Sequence, residues 1–154
     1  MSECVCLTSP EALPKKQGTY ALFIRVVDPT TVEVGGLKIL LSPGVYVYVG
    51  SAGGSGGLRA RVMRHFKRYK RIHWHIDRLT TAEGVIVERV CYVIGPYGPL
   101  MEACTSACME GSGFSPIPRF GASDDPLSST HLFYVGEGAL AEEVCRCLSR
   151  CSEE

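Results

Sequence analysis

The chain has 154 residues, 45% of them apolar, and its 16 basic and 16 acidic side chains give a formal net charge of zero. That length predicts one domain able to bury roughly two-thirds of its unfolded surface around a single core. No apolar run reaches the roughly 20 residues of a membrane-spanning helix, and Glu3 stands where a signal peptide would carry basic residues, so a soluble cytoplasmic protein with no membrane partner is expected.

After a polar lead-in ending at Pro14-Lys15-Lys16, the β-branched and aromatic stretch Gly18 to Val27 predicts a strand. A hairpin follows, with Val32-Glu33-Val34 and Leu37-Lys38-Ile39-Leu40 flanking Gly35-Gly36, a connection able to take positive φ. Pro43-Gly44 marks the next turn. From Val45 to Val49 valine and tyrosine alternate, which puts Tyr46 and Tyr48 on one face of a strand and the valines on the other. Gly50 to Gly57 is too rich in glycine for regular structure and leads into a predicted helix over Leu58 to Arg71, where Leu58, Val62, Phe66 and Tyr69 recur at helical spacing. Arg61, His65 and Arg68 form a separate stripe on that helix. Gly84 to Ile94 predicts a strand, Pro99 starts a helix to about Glu110, and His131 to Val135 predicts a last strand before a terminal helix over about residues 139–151. Gly111 to Ser129 is rich in Gly, Ser, Pro and Asp and predicts a long, mostly irregular connection. The expected architecture is α+β: a small antiparallel sheet flanked by helices, with a core over about residues 17–135 and an inserted hairpin.

Zero net charge conceals an uneven distribution. Seven basic residues and no acid lie between Arg59 and Arg71 (Arg59, Arg61, Arg64, Lys67, Arg68, Lys70 and Arg71), whereas Asp124 to Glu154 is mostly acidic. An isolated charge run is most often a solvated surface. This one follows a strand that presents two tyrosines, so it pairs phosphate ligands with groups able to orient water or exchange protons. The glycine run is neither a P-loop, since no Lys-Ser or Lys-Thr follows it, nor a dinucleotide fingerprint. What remains is flexible backbone before a helix start, which suits a phosphate or a plain turn equally well.

None of the eight cysteines sits in a CxxC pair, the spacing most diagnostic of zinc, which argues against a zinc site. Cys4 and Cys6, with Cys145, Cys147 and Cys151 at the other terminus, could pair as disulfides or be buried as small hydrophobes. His73, His75 and Asp77 alternate along a segment read as extended, a geometry able to bind metal, but a structural role is favoured because HxH is common. Ser123, Asp124 and His131 lack the setting of a serine hydrolase triad.

Gly18-Thr19-Tyr20 and Tyr48-Val49-Gly50, followed by Leu58 to His65 and by Leu100-Met101-Glu102-Ala103-Cys104, resemble in order the elements of the GIY-YIG nuclease superfamily. His73-Trp74-His75-Ile76-Asp77, Phe120-Gly121-Ala122-Ser123-Asp124 and His131-Leu132-Phe133-Tyr134 resemble its mainly archaeal Uri-type endonuclease branch. Departures are Thr19 and Val49 in place of isoleucine, the inserted hairpin, and Asp125, Pro126 and Leu127 where relatives of the branch often carry cysteines. The resemblance implies a metal-dependent endonuclease with catalytic Tyr20, Tyr48, Arg61, His65 and Glu102. Glu102 would hold one Mg2+ or Mn2+, since a hard cation that keeps its waters needs few protein ligands. Tyr20 would activate water, although ionising a phenol of pKa near 10 at pH 7 costs about 4 kcal/mol unless cations assist. Arg61 would clamp the scissile phosphate, with Tyr48 and His65 positioning water or phosphate. Arg59, Arg64, Lys67, Arg68, Lys70 and Arg71 would bind nucleic acid, DNA in preference to RNA. Two other readings are a non-catalytic nucleic-acid-binding module and an adaptor whose acidic C-terminal helix docks a partner repair enzyme.

Overall fold

A computed structural model describes residues 3–118, 120, 130–136 and 141–153. In chain order the elements are β1 (Val5–Leu7), β2 (Gly18–Val26), β3 (Thr30–Val34), β4 (Leu37–Leu41), β5 (Gly44–Ala52), α1 (Gly57–Phe66), α2 (His75–Thr80), β6 (Val85–Ile94), α3 (Pro99–Gly111), β7 (Ser115–Ile117), β8 (Leu132–Gly136) and α4 (Ala141–Ser152). Six strands form an antiparallel sheet in the order β1-β6-β2-β5-β8-β7, while β3 and β4 pair as a separate hairpin. This is the mixed, antiparallel, helix-flanked architecture that the sequence predicts.

The alternation in β5 decides which layer each side chain joins. Tyr46 and Tyr48, with Tyr20, Leu22 and Ile24 of β2, pack towards Leu58 and Val62 of α1 and Ile76 and Leu79 of α2. Val45, Val47 and Val49, with Ala21 and Phe23, face Met101 and Met109 of α3 and Val144, Cys147 and Leu148 of α4. The sheet is therefore the middle of three layers, and its central strands are buried on both faces because helices cover both. In the inserted hairpin Gly35 and Gly36 take φ of 58° and 82°, the positive values a two-residue turn needs to follow strand twist.

Several local expectations are corrected. The helix predicted to Arg71 stops at Phe66, and Lys67 turns extended with ψ 127°. Lys70 returns its ammonium to the carbonyls of Arg64 (2.8 Å) and His65 (3.3 Å), satisfying acceptors of the last turn. Tyr69, the fourth apolar position of the predicted helix, is 91% exposed. Arg68 consequently leaves the stripe of Arg61 and His65 and donates instead to the Val85 carbonyl at 2.9 Å. Gly50, Ser51 and Ala52 are strand, not loop, because β2 supplies their pairing partners Tyr20, Thr19 and Gly18. His73, His75 and Asp77 do not share an extended face, because α2 begins at His75. Asp77 turns back to accept the backbone N–H groups of His73 (2.9 Å) and Trp74 (3.0 Å).

Strand β7 lies inside the connection predicted to be irregular, and β1 adds an edge that the sequence reading did not anticipate. Residues 121–129, with the Gly121 to Asp124 segment of the resemblance, lie outside the described residues. The terminal cysteines do form disulfides, but with partners from the middle of the chain as well: Cys4–Cys145, Cys6–Cys91, Cys104–Cys151 and Cys108–Cys147. Among the described residues no helix is long and apolar enough to cross a membrane.

Candidate functional site

At one end of the sheet the three layers converge. Tyr20 of β2 is paired with Gly50 of β5, and Tyr48 with Leu22, so the two tyrosines are diagonal neighbours on one face. Arg61 and His65 come from α1, Trp74 from the residue preceding α2, Glu102 from the first turn of α3 and His131 from the residue preceding β8. Tyr20, Tyr48, Arg61, His65 and Glu102 all line one cleft of about 120 Å3, together with Gly50, Ser51, Trp74 and His131. A wider groove of about 510 Å3, bounded by the β3–β4 turn and the start of α2, shares Tyr48 and Trp74 with it.

Gly50 has a steric reason. A Cβ there would fall 2.5 Å from the Tyr20 hydroxyl, so the Tyr20 ring can lie across β5 only over a glycine. That hydroxyl is 2.7 Å from His65 Nε2. Both groups are buried, and burial sets their charge states. It raises the Tyr20 phenol well above its usual pKa, reinforced by Tyr48 and opposed by Arg61. The His65 imidazole is lowered to about 3, first by burial and then by the cationic Lys70. At neutral pH the pair is a neutral phenol against a neutral imidazole. His65 Nδ1 has no hydrogen-bond partner among the described residues. A bare lone pair there is cheaper than a stranded N–H, which places the imidazole proton on Nε2, directed at the Tyr20 oxygen.

Glu102 is oriented by a short chain of donors. Ser51 donates its hydroxyl to Glu102 Oε2 and accepts the Gly98 N–H at 3.1 Å. The other carboxylate oxygen stands 3.9 Å from His131 Nδ1, and the Glu102 side chain keeps 19% of its surface exposed. A carboxylate held by one oxygen, accessible from the cleft and beside tyrosine hydroxyls, fits a hard divalent cation that retains most of its water.

Arg61 lies with its guanidinium carbon 4.6 Å from the centre of the Trp74 ring, and Arg64 sits 4.8 Å from the same ring. Two members of the basic run are committed internally. Arg64 pairs with the buried Asp77 at 2.6 Å, and the Lys70 side chain is only 3% exposed, with its ammonium lowered to about 8 by burial despite Asp77 nearby. Lys67, Arg68 and Arg71 are exposed, and Arg59 is half-buried.

Sequence reasoning did not single out Ser51, Gly50 or Trp74 as site residues. Ser51 was hidden in a run that reads as loop, although extending the Val/Tyr alternation through it would have placed Ser51 on the α3 face with Glu102. Trp74 carried no such signal, because its role depends on how α2 meets α1. No curated protein and no solved structure matches the chain. The family model described as domain of unknown function DUF123 matches residues 19–153, a span that holds every residue of the cleft. The chain belongs to that family.

Proposed function

We propose that the cleft is a phosphodiester-cleaving centre and that the protein is a metal-dependent endonuclease of the GIY-YIG type, Uri-like branch, acting on cytoplasmic nucleic acid, preferentially DNA, in repair or processing. The observation that carries this reading is the meeting of Tyr20, Tyr48, Arg61, His65 and Glu102 in one cleft from four separate elements, β2, β5, α1 and α3. Arg61, stacked on Trp74, presents a planar fork suited to two oxygens of a phosphate. The His65 Nε2–H directed at the Tyr20 oxygen favours the phenolate, the form of Tyr20 that would take up a proton from the attacking water. Tyr48 helps to orient the water. Glu102 would hold Mg2+ or Mn2+, which when bound supplies Lewis-acid stabilisation of the charge that develops on the phosphate.

The second reading, a nucleic-acid-binding module without turnover, is favoured by the charge states of the pair. A raised phenol and a depressed imidazole leave no base at rest. An adaptor role through the C-terminal helix is less suited to α4, whose Val144, Cys147, Leu148 and Cys151 are buried in the core.

A screen across branched, nicked, single-stranded and duplex substrates with Mg2+ or Mn2+ separates these readings. The enzyme predicts cleavage lost in Glu102→Ala and kept in the exposed control Glu142→Ala. Salt-sensitive binding without cleavage in any arm would leave the binding module.

A further inference from the structure

Away from the cleft, the sulfur atoms of Cys4, Cys6 and Cys145 lie within 4.8 Å of one another. Cys4 is bonded to Cys145, and Cys6 to Cys91, its cross-strand partner between β1 and β6. Cys6 Sγ and Cys145 Sγ belong to different disulfides yet are only 3.5 Å apart. Three sulfurs, from the lead-in, β1 and α4, thus meet at one point, and Cys91 of β6 is joined to them through Cys6. The other two disulfides behave differently. Cys104–Cys151 and Cys108–Cys147 are successive rungs between α3 and α4, and they yield no such three-ligand group among the described residues.

Four thiolates on a tetrahedral Zn2+, each at about 2.3 Å, stand about 3.8 Å from one another. For Cys4, Cys6 and Cys145 the contact of 3.5 Å and the limit of 4.8 Å bracket that edge, so small side-chain rotations would bring these three sulfurs to the required spacing once their bonds are opened, and Cys91, bonded to Cys6 in the oxidised chain, would supply the fourth. We propose that in the reduced protein Cys4, Cys6, Cys91 and Cys145 form a thiolate site for one soft divalent cation of the zinc class. This corner of the fold then has two mutually exclusive crosslinks, two disulfides or one metal. Conversion consumes two equivalents of a dithiol reductant, each closing to its own disulfide and delivering two electrons and two protons to one protein disulfide. The cation then displaces the thiol protons into solvent. Cys91 is buried but Cys4, Cys6 and Cys145 are only half-buried, so the negative charge of four thiolates around a dication is not wholly withdrawn from water. Because the ligands come from separate segments, no CxxC spacing announces the site.

The test uses the full chain, reduced under anaerobic conditions and titrated with Co2+. The site predicts the intense visible absorption of tetrahedral thiolate-bound Co2+, saturating at one ion per chain and bleached by Zn2+. Cys4→Ser and Cys6→Ser should each weaken or abolish it, and Cys108→Ser should leave it unchanged. A second measurement needs no variant. Zn2+ should protect Cys4, Cys6, Cys91 and Cys145 from alkylation while Cys104, Cys108, Cys147 and Cys151 label at their metal-free rate. An octahedral Co2+ spectrum, or protection centred on the α3–α4 cysteines, overturns the proposal.

Discussion

Tyr20 and Arg61 show how neighbouring residues of the cleft act on each other's charge. Burial holds Tyr20 neutral, and Arg61 is the cation whose pull opposes that burial, so its planar charge counts most when negative charge develops. Arg61→Ala is predicted to lower the single-turnover rate by roughly 2–4 kcal/mol, about 30- to 1000-fold, with only modest loss of binding. Arg61→Lys should restore little, because a point charge lacks the fork. The exposed Lys67 is the control, since Arg68 donates to the Val85 carbonyl. Lys67→Ala should weaken binding and lower the salt slope by about one ion, leaving the rate at saturation intact. If Arg61 and Lys67 variants behave alike, the proposed site is wrong and the basic run is only an electrostatic platform. His65 makes a separate prediction about stability. Its folded pKa of about 3 lies below the usual 6.5, so between those values the unfolded chain binds more protons. The stabilisation is fully present above pH 6.5 and is lost as pH falls towards 3, by about 3 kcal/mol between pH 7 and 4.5. His65→Gln should flatten that slope in urea unfolding with disulfides intact. An unchanged slope would assign the acid sensitivity to other groups.

Among the elements, α2 lies where the sequence reads as an extended segment, and Asp77 is the reason it exists as a helix. Its buried carboxylate accepts two backbone N–H groups at the helix start and the Arg64 guanidinium, with Lys70 at 3.9 Å. Burial alone would raise this carboxyl, but the N–H groups of Trp74 and His73 and the Arg64 guanidinium hold it below its usual range. One side chain therefore starts α2, neutralises the end of α1 and sets where Trp74 meets Arg61. Asp77→Ala should cost about 3–5 kcal/mol by stranding buried cations, whereas Asp77→Asn, which still offers an acceptor to the helix start, should cost less. Equilibrium unfolding of the two variants checks the order. Equal losses would mean that charge neutralisation contributes nothing beyond the backbone acceptors.

At the scale of the whole molecule, the sheet separates two kinds of chemistry. Towards α1 and α2 it carries the tyrosines, and towards α3 and α4 it carries the cysteines. The disulfides close loops with sequence separations of 141, 85, 47 and 39 residues, tying both ends of the chain to its middle. Nested loops do not add fully. Taking a low value of about 2 kcal/mol for each, complete reduction in metal-free buffer should lower Tm by roughly 15–30 °C. Calorimetry of the reduced and oxidised chains measures this, and a shift of only a few degrees would show that the core is stable without its crosslinks.

Local order was legible in the sequence wherever periodicity and turn chemistry spoke together. The Val/Tyr alternation of β5, the Gly35-Gly36 hairpin and the Pro99 helix start each follow from backbone geometry that a few neighbouring residues determine. Tyr20, Tyr48, Arg61, His65 and Glu102 could be named only from the family resemblance of the motifs that hold them, and the sheet with α1 and α3 brings them to one cleft. What local pattern could not decide was where α1 stops, that His75 begins a helix, and which sulfurs meet. Those outcomes were settled by partners distant in sequence or by side chains folding back, by Lys70 reaching α1 carbonyls, Asp77 gathering backbone donors and Arg64, and β1 and α4 bringing cysteines to Cys91. Their free energy comes from burial and pairing that exist only once the three layers have closed, so no window of neighbouring residues encodes them.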